Sequence, residues 1–108
     1  MKDYQIVTER SMKLPDCVYH QCLWIVRDMD RLNEVAGSEY VSLEVTVARE
    51  RIRCISSALE SVPVEFRAGI LENIVKRGSG FGAFASNNTW RRWKQIFLYT
   101  FARNLGLY

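Results

Sequence analysis

The sequence predicts an all-α protein: an N-terminal helical hairpin followed by a helix-turn-helix-like C-terminal half. Three observations carry this. Apolar residues recur at helical spacing in four stretches. Pro15, Gly37, Pro63, Gly78 and Gly106 fall where those stretches begin or end. Val45, Thr46 and Val47 are β-branched and could be read as a strand, but the apolar period stays helical through the residues that follow them.

The first helix is expected to open at Leu14-Pro15-Asp16. Proline is tolerated in a first helical turn, and an acidic residue there faces the positive end of the helix dipole. Val18, Cys22, Ile25, Met29 and Leu32 follow at spacings of 4, 3, 4 and 3, one buried stripe. Leu23, Trp24 and Val26 widen that stripe and predict a second contact surface, such as that of a homodimer, with Tyr19, Leu23 and Trp24 as its candidate residues. Arg27, Asp28, Asp30, Arg31 and Glu34 mark the wet side. Gly37 is the expected stop. Residues 1–11 are mixed and polar, and read as a frayed arm.

Ser42 is the expected cap of the second helix. Val45, Ala48, Ile52, Ile55 and Leu59 form its stripe, and Glu44, Arg49, Glu50, Arg51 and Arg53 its outer side. The short connection before it predicts an antiparallel hairpin with the first helix. Pro63 ends this helix and begins a third, carrying Val64, Arg67, Ile70, Leu71, Ile74 and Val75 to a stop at Gly78. Gly78, Gly80 and Gly82 argue for a turn, in which Phe81 and Phe84 can anchor a single helical turn.

Ser86, Asn87 and Asn88 are capping residues for a last helix running to about Asn104, with Gly106 as its stop. Trp90, Trp93, Ile96, Phe97, Thr100, Phe101 and Leu105 are expected to face inward. Arg91, Arg92, Lys94 and Gln95 are expected to face outward near its start.

A chain of this length fits one domain, residues 1–108, with 12–62 as the hairpin and 63–108 as the second half. Apolar residues make up 48%, enough for a core. No apolar run approaches the roughly 18–20 residues that span a bilayer, and the first residues lack a signal-peptide core. The expectation is a cytoplasmic protein of a bacterial cell with no membrane partner.

The net charge of +3 is unevenly distributed. Residues 1–62 carry eight Lys/Arg and ten Asp/Glu, whereas residues 63–108 carry seven Lys/Arg and two Asp/Glu. The second half is thus expected to face an anionic partner. Enzyme chemistry is not indicated. His20 is the only histidine, and at two residues from Cys22 on a helix it points elsewhere. The three cysteines Cys17, Cys22 and Cys54 match neither a disulfide framework nor a zinc pattern. The glycine segment lacks a phosphate-loop lysine. No cofactor, metal or catalytic residue is expected.

What remains is a binding surface. A helix N-terminus rich in Asn and Arg suits phosphate, because its first N–H groups lack acceptors within the helix. Asn87, Asn88, Arg91, Arg92, Lys94 and Gln95 are the candidate DNA-binding residues. Arg91, Arg92 and Lys94 would attract phosphates, and Asn88 and Gln95 can reach base edges.

Three segments also carry a resemblance. Leu14-Pro15, Val18-Tyr19, Gln21 and Leu23-Trp24 resemble an "LP-x-x-VY-x-Q-x-LW" opening of small phage and prophage proteins of Gram-positive bacteria. Ala58-Leu59 with Pro63, Glu65, Phe66, Arg67 and Gly69-Ile70 resembles a second segment of theirs. Thr89-Trp90, Arg92-Trp93-Lys94, Phe97, Tyr99, Ala102 and Leu105-Gly106-Leu107 resemble their "TW-x-RWK-x-x-F-x-Y-x-x-A-x-x-LGL" ending. Those proteins are similar to RinA- and ArpU-type phage transcriptional regulators and, more distantly, to the fourth region of sigma factors. The resemblance implies a recognition helix opening at Thr89, with binding residues at Asn87, Asn88, Arg91, Arg92 and Gln95. It also implies a middle helix, for which residues 80–86 are several residues short. Double-stranded DNA is the first expected partner. The alternative is a host protein, RNA polymerase or a defence nuclease, that the chain modulates.

Overall fold

The computed structural model describes residues 12–78 and 80–108. They form five helices and no strand: α1 (Asp16–Arg27), α2 (Met29–Ala36), α3 (Leu43–Leu59), α4 (Val64–Val75) and α5 (Asn87–Asn104). The expected frayed arm, residues 1–11, lies outside the described residues. None of the helices is long and apolar enough to cross a membrane.

The expected first helix is broken at Asp28. Its N–H is shared between the carbonyl oxygens of Trp24 and Ile25, both at 3.1 Å. Its carboxylate is held by Arg31, at 2.9 Å from Nε and 2.6 Å from Nη2. The break redirects the chain. α1 packs on α4 and α5, whereas α2 packs on α3. The expected pairing of one long first helix with the next is therefore confined to α2. Arg49 secures that pairing by donating to the carbonyls of Ala36, the last residue of α2, and of Ser38 just beyond it.

Ser42 caps α3 as expected, its Oγ accepting from the N–H of Val45. Cys54 and Asn104 join α3 to the end of α5, the Asn104 amide donating to the Cys54 carbonyl at 3.3 Å. In α4 the buried positions are Phe66, Ile70, Asn73 and Ile74. Val64 and Val75, expected in its stripe, are exposed, and Phe66 takes the inward place because it meets the rings of Trp90 and Phe84.

The ends of α4 and α5 solve one problem differently. At α5 the N–H of Leu107 returns to the carbonyl of Ala102, with Gly106 at φ 76°. At α4 the N–H of Gly78 returns to Asn73 and that of Arg77 to Ile74. Two successive residues there have positive φ, Arg77 at 56° and Gly78 at 88°, so a non-glycine side chain takes the place that Gly106 holds at the end of α5. A side chain in that region is strained by about 1–2 kcal/mol, which is why glycine usually fills it.

Residues 80–86 contain no helix. The middle helix of a helix-turn-helix is absent, and α4 and α5 are joined by a connection longer than the 3–4-residue turn of that motif. Phe81 accounts for this. Its ring stacks on Trp90, 5.2 Å between centroids and 7° between planes, and the adjacent Gly82 carbonyl accepts from the Trp90 indole N–H at 2.9 Å. These contacts hold the segment against the start of α5. Phe84 touches the same cluster but stays largely exposed.

The core collects Cys22, Val26, Ile55, Ala58, Val62, Ile70, Ile74, Trp90, Phe97 and Phe101. Leu98 and Ala102 of α5 join it, although the expected inward face of that helix did not include them. α5 is sandwiched between α1, α3 and α4, so its buried arc is wider than a single stripe.

Candidate nucleic-acid interface

α5 begins with a side-chain cap. Ser86 Oγ accepts from the N–H of Thr89 at 3.2 Å and lies 3.0 Å from Thr89 Oγ1. That leaves the N–H groups of Asn87 and Asn88 at the solvent end, where the helix dipole favours an anion. Both asparagines are exposed, and the first turn carries no acidic residue.

Trp90 sets the direction of this end. It is buried beneath Phe81 and Phe66, with Gly69 of α4 against its six-membered ring. With Trp90 facing inward, Arg91 and Arg92 face outward, and both are exposed. Trp93 is half-buried, its ring 6.1 Å from that of Phe66.

Lys94 departs from the outward expectation. It is half-buried, and its Nζ donates to Asn73 Oδ1 at 2.8 Å. Burial, and secondarily the nearby Arg27 guanidinium, lowers its pKa from the ordinary 10.5. It is a tie between α5 and α4 before it is a phosphate contact. Gln95 is also half-buried. Arg91, Lys94 and Gln95 share a groove of about 450 Å³ with Lys13, Asp16 and Tyr19 at the start of α1. Four of the six candidate DNA-binding residues, Asn87, Asn88, Arg91 and Arg92, thus lie exposed together on one helix end.

The expected protein-contact trio separates. Leu23 is 5% exposed and belongs to the core, which corrects its assignment to a partner surface. The crossing of α1 over α4 and α5 widens the buried arc of α1 enough to include it. Tyr19 is half-buried against the same core. Trp24 alone stands out, 57% exposed.

Around Trp24 the structure assembles what the helical patterns did not predict. The guanidinium carbons of Arg27 and Arg77 lie 5.7 and 5.4 Å from its ring centroid. Arg51 of α3 and Asp28 line the same pocket. Arg27 is not on a wet side as expected, since its Nε donates to the Ile74 carbonyl at 2.9 Å. The one local signal was the spacing of Trp24 and Arg27, which are neighbours on a helix surface.

The cysteines are separate. Cys22 and Cys54 are buried and Cys17 is exposed, all as free thiols. Burial pushes the Cys22 thiol up to about 11. Among the described residues no group of three or more His, Cys, Asp or Glu side chains is placed to hold a metal ion.

No protein-family model, curated protein or solved structure matches the chain.

Proposed function

We propose that the protein is a DNA-binding transcriptional regulator of the phage and prophage type that engages duplex DNA through the first two turns of α5. One observation carries this reading. Asn87, Asn88, Arg91 and Arg92 are exposed together on a helix start with no carboxylate in its first turn, and Trp90 fixes that start to the core. The resemblance of residues 89–107 to phage regulators points the same way.

The physical task divides among these residues. Arg91 and Arg92 neutralise phosphates and release counterions. The N–H groups of Asn87 and Asn88 donate to a phosphate that meets the helix end-on. The Asn88 side-chain amide can pair with the edge of an adenine in the major groove. The helix is about 27 Å long at 1.5 Å per residue, so its first turns can enter a groove while the rest remains packed. Because the middle helix is missing, insertion depends on α5 alone, braced by Phe81 and Phe84. A homodimer would place two such ends on one duplex.

Fluorescence anisotropy with a labelled duplex tests this. Binding at about 50 mM salt should weaken steeply as salt rises, with a log–log slope near −0.9 per phosphate contact. No binding by the unaltered protein at that salt sinks the proposal.

A second reading, a module that docks on a host protein such as RNA polymerase or a defence nuclease, is favoured by a different observation. Tyr40, Val41 and Leu43, between α2 and α3 and at the start of α3, are 81%, 83% and 81% exposed. A pull-down from a Gram-positive lysate with and without nuclease separates the readings. A protein captured equally well after nuclease treatment supports the second.

A further inference from the structure

We propose that the pocket around Trp24 is a nucleotide-binding site, distinct from the start of α5, in which Arg27, Arg51 and Arg77 hold a phosphate and Trp24 receives the base. Three helices build it: Trp24 and Arg27 come from α1, Arg51 from α3 and Arg77 from the end of α4. Its volume is about 420 Å³.

The charge balance favours an anion. Three guanidinium groups line the pocket with one carboxylate, Asp28. That carboxylate is already held from two sides by the Arg31 fork, 2.9 Å from Nε and 2.6 Å from Nη2. Arg27 directs its Nε to the Ile74 carbonyl at 2.9 Å, which fixes a side chain that lines the pocket. Among the described residues no carboxylate bridges to Arg51 or Arg77. Forked guanidinium groups pair with phosphate oxygens two at a time.

The aromatic component narrows the ligand. Trp24 is 57% exposed, and the guanidinium carbons of Arg27 and Arg77 lie over its ring at 5.7 and 5.4 Å from the centroid, toward the outer end of cation–π range. The exposed part of the indole is what a planar group would cover, beside those two cations. Base–indole stacking beside arginine is the usual means of holding an unpaired nucleotide. Bases inside a duplex are stacked on each other and cannot use this ring. The ligand is therefore a free nucleotide or an unpaired nucleotide of a strand.

The backbone adds a further reason. The first of the two left-handed positions that end α4 would be easier for glycine, yet it holds Arg77, whose side chain reaches Trp24. The substitution Arg77→Gly suits that backbone and removes the guanidinium, so it tests the site in a folded protein.

The test is titration of the full chain with AMP, adenosine, inorganic phosphate, a short oligo-dA strand and an oligo-Glu peptide at low salt. Tryptophan fluorescence and the NMR resonances of the arginine Nε–H groups are the readouts, and Trp24→Phe assigns the fluorescence change. AMP is expected to saturate the Trp24 signal and to shift Arg27, Arg51 and Arg77. Adenosine should bind at least about tenfold more weakly for want of the charge-assisted pairs. Phosphate should compete with AMP. Tighter binding of the strand than of AMP identifies an unpaired nucleotide of a chain as the ligand, and the reverse order identifies a free nucleotide. Arg77→Gly and Arg51→Ala should each weaken AMP binding about tenfold, whereas Arg91→Ala with Arg92→Ala should leave it unchanged. The last result keeps this site independent of the reading of α5. Absence of both signals with AMP up to about 5 mM, or equal response to the oligo-Glu peptide, overturns the proposal.

Discussion

The indole N–H of Trp90 donates to the carbonyl oxygen of Gly82 at 2.9 Å, and this bond ties the glycine segment to the start of α5. The other side of the indole rests on Gly69, where a Cβ would come within 2.6 and 2.7 Å of the ring. Gly69→Ala should therefore force α4 and α5 apart and destabilise the protein by roughly 1–3 kcal/mol. Trp90→Ala should remove about 3–5 kcal/mol. Chemical denaturation measures both. A neutral Gly69→Ala would mean that Trp90 is not seated against α4.

Arg91 and Arg92 are exposed and take no part in the core. Replacing both with Ala should abolish duplex binding at low salt and change the unfolding free energy by no more than about the 0.5 kcal/mol typical of surface substitutions. Anisotropy and calorimetry on the same samples check this. Loss of folding in the double variant would assign those arginines to structure.

Lys94 should make stability depend on pH. Its folded-state pKa is lowered from 10.5 by burial and by Arg27. The unfolded chain therefore holds the proton more tightly. Stability is reduced at all pH values below the folded pKa, and recovers as pH rises from there to 10.5. Denaturation midpoints of the unaltered protein and Lys94→Met, followed from neutral pH to 10.5, should show the unaltered protein gaining relative to the variant. A constant difference between them would contradict a desolvated ammonium.

Arg77→Gly relieves a left-handed side chain, yet glycine gives the unfolded chain more freedom. The two effects oppose each other, and the stability change should lie between zero and a gain of about 1 kcal/mol. A clear loss by calorimetry would mean that the contact of Arg77 with Trp24 holds the fold together.

Thiol alkylation should follow burial. Cys17 is exposed, whereas Cys22 and Cys54 are buried and their thiols are pushed upward. Iodoacetamide at mildly alkaline pH should add one label to the native protein, at Cys17, and three after denaturation. Mass spectrometry reads the count. A rapid second label in the native state would indicate opening of the contact between α1 and the rest of the core.

The helices themselves were legible because they depend on local terms. Ser42 and Ser86 cap where a hydroxyl before an apolar period predicts, and Gly106 closes α5 in the backbone region that glycine tolerates best. The spacing of Val18, Cys22 and Leu32, and of Trp90, Phe97 and Phe101, identified inward faces for the same reason. Of the candidate interface, Asn87, Asn88, Arg91 and Arg92 could be placed from the cap and the period alone. Tertiary packing decided the rest. The break at Asp28 depends on whether α1 and α2 have different partners, which no local pattern encodes. Leu23 is buried because two helices cross α1, and Lys94 is turned inward because Asn73 of α4 lies within reach. The glycine segment remains unwound because Trp90 captures Gly82 from eight residues away. Trp24 meets Arg51 and Arg77 across 27 and 53 residues of chain. Periodicity reports which side of a helix avoids water, but only the packed structure determines what comes to lie beside it.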